Sequence, residues 1–131
     1  MDKDKLQVGQ KVVVKIEETS NASRGLRMTL DNIDEWCFDG VITKIGRKYI
    51  TVDFAKSASI SFTEQFNIED EYRQKYSCGG ADYKLYPNKE AVIKELKTNK
   101  LYSYIRNKFS SYSNTEFTLE QLEKIYSILT K

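Results

Sequence analysis

The chain has 131 residues, of which 40% are hydrophobic and 31% charged, and its formal net charge is +2. This composition is typical of a folded protein and lies far from the low hydrophobicity and high net charge of disordered chains. The length allows one small domain, or a barrel with a helical appendage, but not two domains of ordinary size. A net charge this small produces no strong electrostatic attraction between the whole molecule and nucleic acid, so the net charge does not indicate the function.

The sequence contains no histidine and only two cysteines, Cys37 and Cys78. Histidine is the usual general base near neutral pH and the commonest transition-metal ligand, so serine triads, Cys-His dyads and zinc sites are not expected. No phosphate-binding loop or nucleophile elbow occurs, and the carboxylates between residues 31 and 39 match no calcium loop. Two cysteines without further pairs are typical of a reducing compartment. We therefore expect a non-enzymatic protein with reduced cysteines, no metal and no cofactor.

The first ten residues carry charges without a following apolar run, and nowhere do eighteen apolar residues occur in succession. Secretion signals and membrane spans require such runs. The sequence therefore predicts a cytoplasmic protein that does not interact with membranes.

Alternating apolar residues predict the first strands. Val12, Val14 and Ile16 share one face, as in a half-buried strand. Residues 36–45 and 49–54 are rich in β-branched and aromatic side chains and flank a Gly-Arg-Lys turn, which predicts a hairpin.

The first arm of this hairpin shows a change of phase. Trp36 and Phe38 share one face, but beyond Asp39-Gly40 the apolar face passes to Val41 and Ile45. Glycine inside a strand often marks a bulge, where a small barrel bends. The pattern predicts a bulge at Gly40.

Shorter strands complete the sheet. Alternation continues at residues 59–62 and 66–68, and a last strand at 83–86 ends before Pro87. The segment 69–82 is interpreted as a connection, and the polar segment 18–34 as a long surface loop. Together these patterns predict an SH3-like antiparallel β-barrel of five or six strands.

The remainder of the chain is predicted to be helical. Asn88 caps a helix from Lys89 whose continuity past Thr98 is left open, and Thr118 begins a second helix that ends at Leu129. The overall prediction is an α+β fold, with a barrel over residues 1–87 and a segment of two or three α-helices over 88–131 packed on it as one compact unit.

Three exposed groups of residues are candidates for binding a partner. Arg24 and Arg27 in the long loop are suited to hold an anion, although a solvated loop explains them as well. Arg47, Lys48 and Tyr49 at the hairpin tip combine cations with an aromatic ring, as nucleic-acid-binding surfaces do, although charged turns are common.

The third group is Tyr72, Arg73 and Tyr76, where the alternative is simple packing of the tyrosines. A further candidate surface is the basic first helix, since residues 88–109 carry six Lys/Arg against two Glu. Its candidate residues are Lys94, Lys97, Lys100, Arg106 and Lys108.

Two stretches, 8–14 and 40–52, resemble the opening strands of SH3-like, Tudor-like and KOW-type barrels. Together with 85–90, 105–109 and 118–122, they make the chain similar to small β-barrel proteins encoded by phages and prophages of low-GC Gram-positive bacteria. The resemblance implies the fold and a phage origin. It implies no activity and no functional residues.

The sequence is consistent with three functions. The first is a phage inhibitor of a host defence system, such as a CRISPR effector, that acts by blocking the surface of a host protein. The second is a nucleic-acid-binding module that uses the hairpin tip and the basic helix. The third is a protein that sequesters a nucleotide signal in a pocket at a dimer interface, formed by Arg106 and nearby tyrosines.

Overall fold

The computed structural model describes residues 1–18, 25, 27–75, 81–109 and 117–130. Short 3-10 helices lie at Lys3–Lys5 and Leu30–Glu35. The strands are β1 Lys11–Ile16, β2 Cys37–Ile45, β3 Tyr49–Ser57, β4 Ile60–Asn67, β5 Arg73–Gln74 and β6 Tyr83–Tyr86, and the helices are α1 Lys89–Lys108 and α2 Leu119–Leu129. The chain comprises two compact units, Met1–Glu95 and Leu96–Lys131.

The six strands form a closed barrel in which every neighbouring pair is antiparallel. β1 closes it by pairing with β2 on one side, where Val14 lies opposite Phe38, and with β6 on the other, where Val14 lies opposite Leu85. Closure removes the exposed strand edges that an open sheet would present. The predicted α+β fold with an SH3-like barrel is confirmed, and the number of strands is six.

The core follows the predicted alternation. The inward side chains of β1 and β3 are buried as expected, because successive residues of a strand point to opposite faces. The buried apolar residues of the barrel interior are Val12, Val14, Ile16, Ile42, Ile50, Val52, Phe54, Phe66 and Leu85. Trp36, just before β2, is also fully buried, and its indole Nε1 donates to the carbonyl of Thr29 and to Oδ1 of Asn32, both at 3.0 Å.

The predicted bulge at Gly40 is wrong. The pairing of β1 with β2 runs without interruption through Gly40, and the register shift lies between Ile42 and Lys44. Ile42 is therefore the buried residue, and Val41, expected inside, is 40% exposed. The reason is steric: a Cβ at Gly40 would lie 2.8 Å from Cγ1 of Val52, so glycine lets two strands pack closely without changing the phase.

Two further predictions differ from the structure. The strands expected at 59–62 and 66–68 form one strand, β4, and the expected connection 69–82 contains β5. β5 is only two residues long and polar, so it has no apolar alternation to reveal it. It exists because its backbone pairs with β4 and with β6.

The helix caps are confirmed. Asn88 Oδ1 accepts a hydrogen bond from the backbone N–H of Ala91 at 2.8 Å, and α1 continues unbroken past Thr98. At α2, the hydroxyl of Thr118 accepts from the N–H of Gln121, whose side chain accepts from the N–H of Thr118. The predicted packing of the helical segment on the barrel stays a prediction.

The first turns of α1 are bonded to the outside of β6. The Tyr86 hydroxyl donates to the carboxylate of Glu95, and Lys84 Nζ lies 3.4 Å from the same carboxylate. Burial raises the pKa of Tyr86, and the hydrogen bond to Glu95 raises it further, so the phenol stays a donor. Partial burial raises the pKa of Glu95, but the hydrogen bond from Tyr86 and the charge of Lys84 outweigh it and lower that pKa.

Cys37 is a free cysteine in the barrel wall. Burial raises the pKa of its thiol to about 12, and the nearby cations Lys15 and Lys89 only partly oppose this effect. The thiol is therefore protonated and unreactive at neutral pH. Cys78 lies outside the described residues. Among the described residues, no helix is both long and apolar enough to cross a membrane.

Replacement of Gly40 by alanine tests the close strand packing. We expect Gly40→Ala to lower the free energy of unfolding by about 1–3 kcal/mol, as overpacking does. The same change should cost less in a Val52→Ala background, because the atom 2.8 Å away is then gone. Urea unfolding of the four proteins of this cycle measures both values, and strictly additive costs would contradict the steric explanation.

Replacement of Tyr86 by phenylalanine tests the bond to Glu95. A carboxylate with a lowered pKa contributes stability above its ordinary pKa of 4.5, and this contribution is lost as the pH falls through the folded-state value. We expect Tyr86→Phe to cost about 1–2 kcal/mol at pH 7, and less as the pH falls from 4.5 through the lowered pKa of Glu95. Tyr83→Phe, in the same strand, should show no such pH dependence in urea unfolding. An equal pH profile for both variants would contradict the assignment.

Candidate nucleic-acid interface

The turn between β2 and β3 holds the cations of the hairpin tip in place. The N–H of Gly46 donates to the carbonyl of Tyr49 at 2.9 Å and closes the turn, and the N–H of Ile68 donates to the carbonyl of Lys48 at 2.8 Å. The backbone is thus fixed on both sides, while the side chains of Arg47 and Lys48 are exposed. The tip thus presents two exposed cations from a turn whose backbone is hydrogen-bonded on both sides.

The Tyr49 ring has two ammonium groups over it. Lys48 Nζ lies 5.5 Å and Lys75 Nζ 4.8 Å from the ring centroid, both within the range of cation–π attraction. Lys3 joins the group by donating from Nζ to the carbonyl of Arg47 at 3.3 Å. We call Lys3, Arg47, Lys48, Tyr49 and Lys75 the tip cluster.

The charges of the tip cluster are not neutralised locally. Among the described residues, no carboxylate lies within ion-pair distance of Lys3, Arg47, Lys48 or Lys75. Arg73 differs, because its guanidinium lies 3.4 Å from Asp70 and 3.0 Å from Glu71. Two cations over the Tyr49 ring and two more in the same cluster, without carboxylate partners among the described residues, form a surface suited to an anion with an aromatic part.

The second half of α1 carries a separate basic surface. Its residues Lys97, Lys100, Tyr104 and Lys108 follow one another at spacings of three or four and so share a helix face. We call these four residues the helix stripe. All are exposed, Lys108 Nζ lies 5.3 Å from the centroid of the Tyr104 ring, and the sequence from residue 96 to 109 contains no acidic residue.

The comparisons with known proteins identify the family. The model of the Phage ProQ C-terminal-like domain matches residues 1–131, which is the whole chain. The chain belongs to this family. It is therefore a phage-type protein, as its resemblance to phage-encoded barrels implies. No curated protein and no solved structure is similar enough to the chain to count as a match.

Other candidate residues of this phage ProQ C-terminal-like chain have local roles. Tyr72, at the left-handed φ of 60°, donates from its hydroxyl to the carbonyl of Met1 at 3.3 Å. Burial and the charge of Asp2 raise its pKa. Tyr72 and the paired Arg73 thus hold the turn before β5 and the N-terminus, and their predicted role in binding stays a prediction.

The remaining candidates of this family member are dispersed. Arg27 and Lys94 are exposed, and Arg106 lies off the helix stripe with its guanidinium 5.7 Å from the Tyr102 ring centroid. Arg24 and Tyr76 lie outside the described residues. The predicted nucleotide pocket around Arg106 stays a prediction. No cluster of three or more His, Cys, Asp or Glu able to hold a metal occurs in the described part of the chain.

Sequence reasoning found the turn residues of the tip cluster but missed Lys3 and Lys75. Lys3 is 44 positions from Arg47, and no local pattern joins them. Lys75 reaches Tyr49 because its backbone N–H donates to the carbonyl of Gln65 at 2.7 Å, which holds the end of β5 beside β4. Only the strand order of the barrel brings these residues together.

Proposed function

We propose that the protein is a non-enzymatic, nucleic-acid-binding phage protein that holds a single strand at the tip cluster. The observation that carries the proposal is the Tyr49 ring with Lys48 and Lys75 over it, in a group of cations without carboxylate partners among the described residues. Single-strand-binding surfaces combine cations that follow the backbone with aromatic rings on which bases stack. The helix stripe supplies a second surface of the same chemistry.

When nucleic acid binds, Lys48 and Lys75 exchange their contact with the Tyr49 ring for a contact with phosphate. A cation–π contact at an exposed site is worth only about 0.5–1 kcal/mol, so Lys48 and Lys75 leave the ring at little cost. A phosphate then takes the ammonium group, and a base stacks on the ring of Tyr49, which is worth about 1–3 kcal/mol. The free protein therefore keeps the ring covered and the charges near the place where they are needed.

The number of cations fixes the expected salt dependence. For a single strand, log Kobs falls with log salt by about 0.7 for each phosphate contacted. Four contacts at the tip cluster give a slope near −3, or a loss of about 50-fold between roughly 50 and 200 mM salt. A packed protein interface would show a much smaller loss.

Charge reversal at the tip tests the phosphate contacts. We expect Arg47→Glu with Lys48→Glu to weaken binding of a fluorescent twelve-nucleotide oligomer more than about 10-fold in anisotropy titrations and to lower the salt slope by about 1 to 2. Lys44→Glu with Lys11→Glu is the matched control, since both lysines are exposed on the barrel and lie outside the tip cluster. If both double variants lost the same affinity for the oligomer, the change in net charge alone would explain the loss, and this result would contradict the proposal.

Removal of the ring tests stacking separately from charge. Tyr49→Leu should weaken binding about 5- to 150-fold at constant salt slope, whereas Tyr49→Phe should bind as the wild type does. Thermal unfolding by circular dichroism checks that both variants fold. Unchanged affinity of a folded Tyr49→Leu variant would remove the ring from the site.

A second candidate function is inhibition of a host defence protein, such as a CRISPR effector of a low-GC Gram-positive host, by surface blocking. The observation that favours it is a groove of about 500 Å³ on the barrel wall at Gly40, whose lining includes Asp39, Asp53, Lys11 and the exposed Val41. Two carboxylates against one ammonium group leave the groove with a net negative charge, which complements the basic surface of a protein that handles nucleic acid.

The groove predicts a different result in capture experiments. A stoichiometric host partner should survive nuclease, be lost with Asp39→Lys and Asp53→Lys, and be retained with Arg47→Glu and Lys48→Glu. A partner that nuclease releases, or that the tip variants lose, would contradict the blocking function and agree with the first proposal.

A further inference from the structure

Four aromatic rings meet towards the end of the barrel opposite the hairpin tip. Phe54 lies at the centre, with ring centroids 6.3 Å from Phe38, 5.6 Å from Phe62 and 5.2 Å from Tyr83. These residues come from β2, β3, β4 and β6. We call the four residues the aromatic mouth.

Register explains why the four rings meet. Phe54 lies opposite Phe62 on β4, and Tyr83 lies opposite Ile16, which belongs to the inward face of β1. Phe38 lies opposite Val14, on the same inward face. All four side chains therefore belong to the inward face of the barrel, near the end at which the backbone N–H of Ile16 donates to the carbonyl of the buried Trp36.

Lys56 occupies the aromatic mouth. Two residues beyond Phe54 on β3, it has its Nζ 5.0 Å from the Tyr83 centroid, 5.2 Å from Phe62 and 5.8 Å from Phe38. Rings around a single ammonium group attract it through their negative faces, which is how aromatic cages hold organic cations. Among the described residues no carboxylate pairs with Lys56, and its ammonium group lies over three rings instead.

We propose that the aromatic mouth is a binding site for the alkylammonium group of a lysine from a protein partner, and that Lys56 occupies it as a tethered competitor. Phe38 and Phe62 are only partly buried, and the Lys56 side chain is exposed and long enough to leave. A tethered group acts at an effective concentration in the millimolar range or above, so it weakens an incoming cation without any change in the rings. The site is separate from the hairpin tip, since Lys56 and Tyr49 lie towards opposite ends of β3.

Removal of Lys56 opens the site to a small probe. n-Butylammonium reproduces the end of a lysine side chain, and 1-butanol is its neutral counterpart. In NMR titrations we expect Lys56→Ser to bind n-butylammonium at least 10-fold more tightly than the wild type, with shifts of the Phe38, Phe62 and Tyr83 ring signals. Lys44→Ser, which removes an exposed lysine from neighbouring β2, should behave as the wild type does.

Three outcomes would overturn the proposal. The first is a folded Lys56→Ser variant whose ring signals do not respond to n-butylammonium. The second is equal binding of 1-butanol, which would reduce the mouth to an apolar patch. The third is unchanged n-butylammonium binding when Phe62→Leu is added to Lys56→Ser, because loss of a cage ring must weaken a cation held by the rings. Phe62 is only partly buried, and a thermal unfolding curve for this double variant confirms that it folds.

Discussion

Closure of the barrel through β1 is the constraint on which the other features depend. β1 pairs with β2 and with β6, so strands from the beginning and the end of the barrel sequence become neighbours. An isolated pair of strands is marginal in water, and the barrel joins six strands around one apolar face. Closure buries most of the inward face and leaves two ends, whose residues differ in type.

The two ends of the barrel differ because the strands end in different residue types. At the β2–β3 turn, the N–H of Gly46 donates to the carbonyl of Tyr49 and closes the turn. The ammonium groups of Lys48 and Lys75 lie over the Tyr49 ring. At the other end the inward positions of the last layer are aromatic, and Lys56 takes the place where the pattern would next require an apolar side chain. In both places cations lie over rings, but Tyr49 is surrounded by several cations whereas Lys56 is surrounded by several rings. The first arrangement suits an anionic partner and the second a cationic one.

The sequence predicted what depends on local periodicity. The alternation of Val12, Val14 and Ile16 and the caps at Asn88 and Thr118 are short-range patterns, and the structure confirms them. The prediction of a bulge at Gly40 was wrong because glycine occurs in strands both at bulges and where two strands pack closely. Only the position of Val52 next to Gly40 distinguishes the two cases. β5 could not be predicted, since a two-residue strand is defined by its partners and not by its own residues.

The candidate sites show the same division between local and long-range information. Arg47, Lys48 and Tyr49 are adjacent in the sequence and were predicted as a group, whereas Lys3 and Lys75 join them only through the fold. The sequence also does not distinguish a cation that is available to a partner from one that pairs with carboxylates of the same chain. Arg47 and Arg73 both lie next to a lysine or a tyrosine, yet carboxylates hold only Arg73.

Charge pairing separates the proposed functions better than charge number does. The net charge of +2 attracts no particular partner, because the cations and carboxylates nearly balance over the whole chain. At the proposed sites the two signs of charge are distributed unevenly: the tip cluster and the helix stripe present cations beside rings, while Asp39 and Asp53 outnumber Lys11 at the groove. Within about a Debye length of 8–10 Å a partner responds to the local group and not to the sum. Under both proposals, therefore, the local charge of a surface and not the net charge of the chain selects the partner.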